Sequence, residues 1–210
     1  MSSIPAPIPS SSHPLKSPSL KVDIYTATIP PFLQYLHTLS TLLSKASAHA
    51  AENRIPDTYF LTHRLYPDMQ PLPYQIQRAS DISRGVAYRV FDLPRMSRED
   101  TEMTFEELQR RIEGTVEELK AVRGLISRSE EGEGKGEGGN AEAEGAIEDR
   151  GRDGKEVEIH FAGNNLKSEA GVFVTRYAVP NFFFHISIAY GILRSCGVSL
   201  GKADYLGIGA

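Results

Sequence analysis

Pro180-Asn181-Phe182-Phe183-Phe184-His185-Ile186-Ser187-Ile188-Ala189-Tyr190-Gly191-Ile192-Leu193-Arg194 is one of the most apolar segments of this chain, and Gly197 closes it. At about 100° per residue, Phe182, Ile186, Ala189, Leu193 and Cys196 fall on one stripe, and His185 lies beside Ile192 in the same arc. Proline suits a first helical turn and glycine the position past a last one. The spacing therefore predicts a helix from Pro180 to Gly197 that points a titratable ring at the core.

Three further helices are legible upstream. The first spans Ile29 to Asn53, with Thr28 as N-cap, Pro30 and Pro31 in its first turn, and a stripe of Phe32, Leu36, Leu39, Leu43, Ala46 and Ala50. The second covers Leu72 to Val90, with Leu72, Ile76, Ala79, Val86 and Val90 inward and Asp68 helping to cap it. Residues 54–71 between them are long for a helix connection, which marks them as a segment able to carry function. The third runs from Phe105 to Ile126 behind a capping box, Thr104 with Glu107, flanked by Met103 and Leu108 as a hydrophobic staple.

Before the last helix, Val157, Ile159 and Phe161 alternate with polar residues and Val172 to Tyr177 is β-branched and aromatic. With Gly163-Asn164-Asn165 as the turn, these predict a small antiparallel hairpin. Residues 1–22, rich in serine and proline, read as a disordered leader, and residues 129–155 as a disordered acidic Gly/Glu-rich loop. That leaves a single domain over 23–207.

With 210 residues, 40 % of them apolar, the chain can fill one core. Residues 129 to 156 hold ten acidic and four basic side chains, a balance of −6 within a total of −4, so the remainder carries about +2. No helix gathers a basic stripe, which excludes nucleic acid as the expected partner. No run approaches the roughly 18 apolar residues of a membrane span, and the N-terminus lacks the pattern of a secretory signal. One cysteine, Cys196, excludes an intrachain disulfide framework. The expectation is a cytoplasmic protein with no membrane contact.

Several segments together carry a family resemblance: Lys45 to Ala50, Arg64 to Leu72 with Gln75 to Asp81, Thr104 to Leu108 with Arg111-Ile112, and Pro180 through Gly207. Over most of residues 25–207 the chain resembles the domain-of-unknown-function family 1993 of bacteria and fungi, which is similar to the DinB-like bundles. The resemblance implies an all-α, up-down four-helix bundle with the hairpin inserted before the last helix, pairing into a homodimer, and no settled activity. It also implies, as in DinB-like bundles, a metal held by three histidines, two of them at i and i+4 on a late helix. Here His185 is followed at i+4 by Ala189, and His49 on the first helix is the natural second ligand. A third ligand would have to come from His63, Asp68 or Gln75, so the expected state is no cofactor, with a divalent metal at His49 and His185 as the alternative.

Helical geometry puts Gln75 on the inner face between Ala79 and Ile82, and a buried amide needs partners. His49, Gln75 and His185, with Tyr190, are the expected lining of a core cavity that binds a small organic ligand. A satisfied internal hydrogen-bond network reads the same residues equally well. The alternatives are an accessory metabolic enzyme using His185 as general acid or base, with or without metal, and a dimerisation module. Asp81 falls opposite Leu72 around its helix and is expected to pair with Arg78 or Arg84 or to face a partner subunit.

Overall fold

The computed structural model describes residues 23–132, 152, 154–161 and 164–208. Four long helices surround one apolar core: α1 (Ile24–Asn53), α3 (Leu72–Val90), α4 (Phe105–Gly132) and α6 (Val179–Ser195). Shorter elements join them: α2 (Asp57–Thr62), strands β1 (Glu156–Phe161) and β2 (Asn164–Glu169), α5 (Ala170–Phe173), a π-helical turn (Val174–Ala178) and, last, α7 (Lys202–Leu206). The stripe residues expected for α1, α3 and α6 are all buried, as are Leu108, Ile112, Leu119 and Val122 of α4.

Contacts fix the direction of each helix. Phe32 packs on Phe182 (4.3 Å between centroids), and His49 near the end of α1 reaches Gly197 past the end of α6, so these helices are parallel. Tyr25 at the start of α1 meets Phe91 beyond α3, whereas Ser40 of α1 bonds to Gln109 in the first turns of α4. Both α3 and α4 therefore run against α1. Asp81 with Arg111 and Arg84 with Glu118 align α3 and α4 in the same direction. The bundle thus goes up, down, down, up, because residues 91–104 travel its length: α3 is about 28 Å long, within reach of an extended stretch at about 3.3 Å per residue.

Helix α1 begins five residues before the predicted Ile29. Asp23 is its N-cap, accepting from the Thr26 amide at 2.7 Å, while Thr28 is buried and donates its hydroxyl to the Ile24 carbonyl oxygen. The burial of Ile24 and Ile29 holds this turn on the core despite Pro30 and Pro31. Pro71, not Asp68, stands at the N-cap of α3, and no side chain caps it. The capping box of α4 is present, Thr104 and Glu107 each accepting the other's amide at 3.1 Å, but Met103 is 73 % exposed and forms no staple.

The hairpin pairs β1 with residues 164–169, not with Val172 to Tyr177. The latter stretch is helical, because Ala170, Phe173, Val174 and Ala178 bury at helical spacing against the core, which outweighs β-branched propensity. Helical structure consequently reaches Pro180 from upstream, through the π turn that precedes it. At the other end the motif is as expected: Gly197 has φ +88°, its amide bonds to the Arg194 carbonyl oxygen, and the Val198 amide bonds to that of Leu193.

The expected leader 1–22 lies outside the described residues, as do 133–151 and 153 of the expected loop and residues 162–163 between the strands. The loop's predicted edges shift inward. Residues 129–132 belong to α4, and Arg152 and Lys155 both donate to the Val90 carbonyl oxygen, at 2.9 and 3.4 Å. No helix among the described residues is long and apolar enough to cross a membrane.

Candidate functional site

His185 is 8 % exposed, on the face of α6 that meets α3, and its Nδ1 lies 2.8 Å from Oε1 of Gln75, which is 3 % exposed. The amide's orientation follows from its other end, where Nε2 donates to the Gln70 carbonyl oxygen at 2.8 Å. A carbonyl can only accept, so Gln75 must turn its NH2 toward Gln70 and its oxygen toward His185. Nδ1 therefore carries the proton, and Nε2 holds a lone pair. Burial, and after it the charge of Arg78, pushes the His185 pKa down to about 4, so the ring is neutral at physiological pH.

The rings of Tyr74 and Phe184 stand edge-on to the imidazole, at 6.0 and 5.3 Å, and the Arg78 guanidinium lies over Tyr74. Nε2 has no hydrogen-bond partner among the described residues. A neutral imidazole held this way is a good acceptor for a ligand's N–H or O–H. It is a weak general base, since efficient proton abstraction calls for a pKa near the working pH.

The structure does not bring the other expected residues to this point. His49 is half-buried, bonds to Asn53, and approaches Gly197, whereas His185 lies ten residues before the end of α6, about 15 Å along the axis. Tyr190 packs its ring on Tyr205 of α7, 5.7 Å away, on another side of the helix. His63 lies against Tyr59, and Asp68 is exposed. Among the described residues no three His, Cys, Asp or Glu side chains gather as metal ligands. The residues around His185 do not fit a three-histidine metal centre: Ala189 offers no donor atom, and Gln75 occupies Nδ1. Burial raises the pKa of the Cys196 thiol, which keeps it an inert core group.

A second constellation went unread in the sequence. Arg111, its side chain 1 % exposed, pairs with Asp81 and Asp100 at 2.9 Å and with Glu102 at 2.8 Å. Glu118 receives Arg84 at 2.6 Å and Arg98 at 2.9 Å. Asp81 pairs with Arg78 and Arg84, as its position predicted, and with Arg111 as well. These ion pairs pin residues 96–102 to α3 and α4. The stretch has no periodicity, so only its unusual density of charge hinted at a network.

A family model described as a domain of unknown function (DUF1993) matches residues 24–135 and 141–206. The chain belongs to the DUF1993 family. It is also similar to the crystal structure of a DinB family member protein from Shewanella denitrificans, with 27 % identity and a TM-score of 0.67 over 88 % of this chain and 92 % of that one. No curated protein matches the chain. Membership in DUF1993 and a DinB-like fold describe the scaffold, and activity has to be argued from the site.

Proposed function

We propose that this DUF1993 protein binds a small organic ligand through the neutral imidazole of His185. The observation that carries the reading is the Gln70–Gln75–His185 chain of hydrogen bonds, which protonates Nδ1 and leaves the Nε2 lone pair without a partner among the described residues. A matching ligand has a donor for Nε2 and an apolar or aromatic body to cover Tyr74 and Phe184, which are 36 % and 54 % exposed. The pKa of about 4 favours binding over general-base catalysis by the same residue. The lone, buried Cys196 fits a reducing, cytoplasmic setting.

Thermal shift across a library of small metabolites, run on the wild type and on His185→Gln, tests the reading, because a ligand stabilises the state it binds. The expected result is a compound whose shift disappears in the folded variant. A library without a response, or a shift that survives the substitution, overturns it.

A homodimer is a second reading, favoured by one surface. Phe184, Ile188 and Gly191 share a face of α6, Leu65 lies against Gly191, and Phe184 and Leu65 stay exposed. A two-fold pairing would cover this face; sedimentation at monomer mass across micromolar concentrations rejects it.

A further inference from the structure

A cavity of about 400 Å³ opens between α3, α4 and residues 91–104, away from His185. Its walls combine charge with apolar surface. Asp81, Arg84, Arg98 and Glu118 line it and belong to a network in which Arg78, Arg84, Arg98 and Arg111 face Asp81, Asp100, Glu102 and Glu118, so both carboxylates in the wall are already paired with guanidiniums. Arg95 at the rim is additional. It is exposed, makes no ion pair among the described residues, and holds its guanidinium 5.6 Å from the centre of the Tyr88 ring. Arg89 lies over the same ring at 4.3 Å.

The four pairs balance one another, which leaves Arg95 as the charge in this lining without a carboxylate partner among the described residues. Burial lowers the pKa of the neighbouring Arg89, Tyr88 opposes that shift and Arg95 adds to it. An anion at Arg95 would offset this charge. Beside the charge, Leu93, Pro94 and Met96 form an apolar wall, and Met96 is 56 % exposed. A pocket of this size, mostly apolar with a few converging polar groups, suits a small organic molecule and not a bare ion.

We propose that this cavity binds a small aromatic carboxylate, its acid group at Arg95 and its ring against Tyr88 and Met96. Guanidinium and carboxylate match geometrically, and Tyr88 and Met96 line the same cavity as Arg95. The site is independent of His185.

Isothermal titration of the full chain at low salt, with 2-naphthoate, its neutral analogue 2-naphthalenemethanol and inorganic phosphate, tests the assignment. The expected result is measurable binding of 2-naphthoate, with the alcohol and phosphate each at least tenfold weaker. Arg95→Gln should weaken 2-naphthoate at least fivefold without moving the melting temperature, because Arg95 stands outside the ion-pair network. Ala121→Trp, at an exposed lining position, should fill the cavity and abolish binding. Absence of 2-naphthoate binding at several millimolar overturns the proposal, as does equal binding of the acid and the alcohol or of the acid and phosphate. So does binding that is lost in His185→Gln but kept in Arg95→Gln, which would place the acid at His185.

Discussion

His185 and Gln75, 110 residues apart in the chain, meet at 2.8 Å between Nδ1 and Oε1, and the amide is held in turn by the Gln70 carbonyl oxygen. The pair joins α3 to α6 by a buried polar contact whose direction is set by a backbone group. Gln75→Leu would leave the Nδ1–H without an acceptor, at a cost of about 1 to 3 kcal/mol. Urea denaturation measures it, and an unchanged midpoint would mean that the imidazole finds another partner.

The burial of His185, with the charge of Arg78 beside it, makes stability depend on pH. The folded His185 pKa, about 4, lies below its ordinary 6.5, so the unfolded chain binds the proton more tightly. Stability is fully present above about pH 6.5, declines as pH falls, and has lost up to about 3 kcal/mol from this group at pH 4. Wild type and His185→Gln compared by denaturation from pH 7 to 4 should differ in slope over that window. Parallel curves would contradict the assignment.

Arg111 holds three carboxylates with its side chain 1 % exposed. Arg111→Met should destabilise the protein by about 3 to 5 kcal/mol, since the largely buried Glu102 would lose its cation and Asp81 and Asp100 would be left to Arg78 and Arg84. Glu102 adds a signature. Burial alone would raise its pKa, yet the hydrogen bonds from Arg111 and Gln77 hold it below the ordinary carboxylate value. Its contribution is therefore lost only as pH falls below about 4.5, and that acid-limb loss should shrink in the variant.

Thr104 caps α4 from an exposed position, so its loss is a local event. Thr104→Ala should cost on the order of 1 kcal/mol, read as a fall of about 2 to 4 °C in melting temperature, with ligand responses intact.

Gly197 ends α6 with φ +88°, a conformation in which any Cβ is strained. A Cβ there would stand 3.8 Å from His49 Nε2, an ordinary contact, so backbone strain alone sets the cost. Gly197→Ala should destabilise by about 1 to 2 kcal/mol in a thermal melt; a neutral result would show that the helix end relaxes.

The residue order alone determined what depends on short range. The stripes of α1, α3, α4 and α6 are legible because an amphipathic helix repeats every 3.6 residues, and the Thr104–Glu107 box and the Gly197 terminus are legible because both are closed by bonds within one turn. The burial of Gln75 and His185 could be read from the same period. What they touch could not, because angle around a helix says nothing about height along a neighbour. That is why His49 and Tyr190, expected in the same lining, stand apart from His185. Tertiary burial likewise turned Val172 to Tyr177 from strand to helix, and the Arg111 network exists only because residues 91–104 run the length of the bundle and lay their charges against α3 and α4. Local periodicity and capping settle the four long helices and which of their residues face inward; long-range contact decides the state of the segments between them and which inward groups meet.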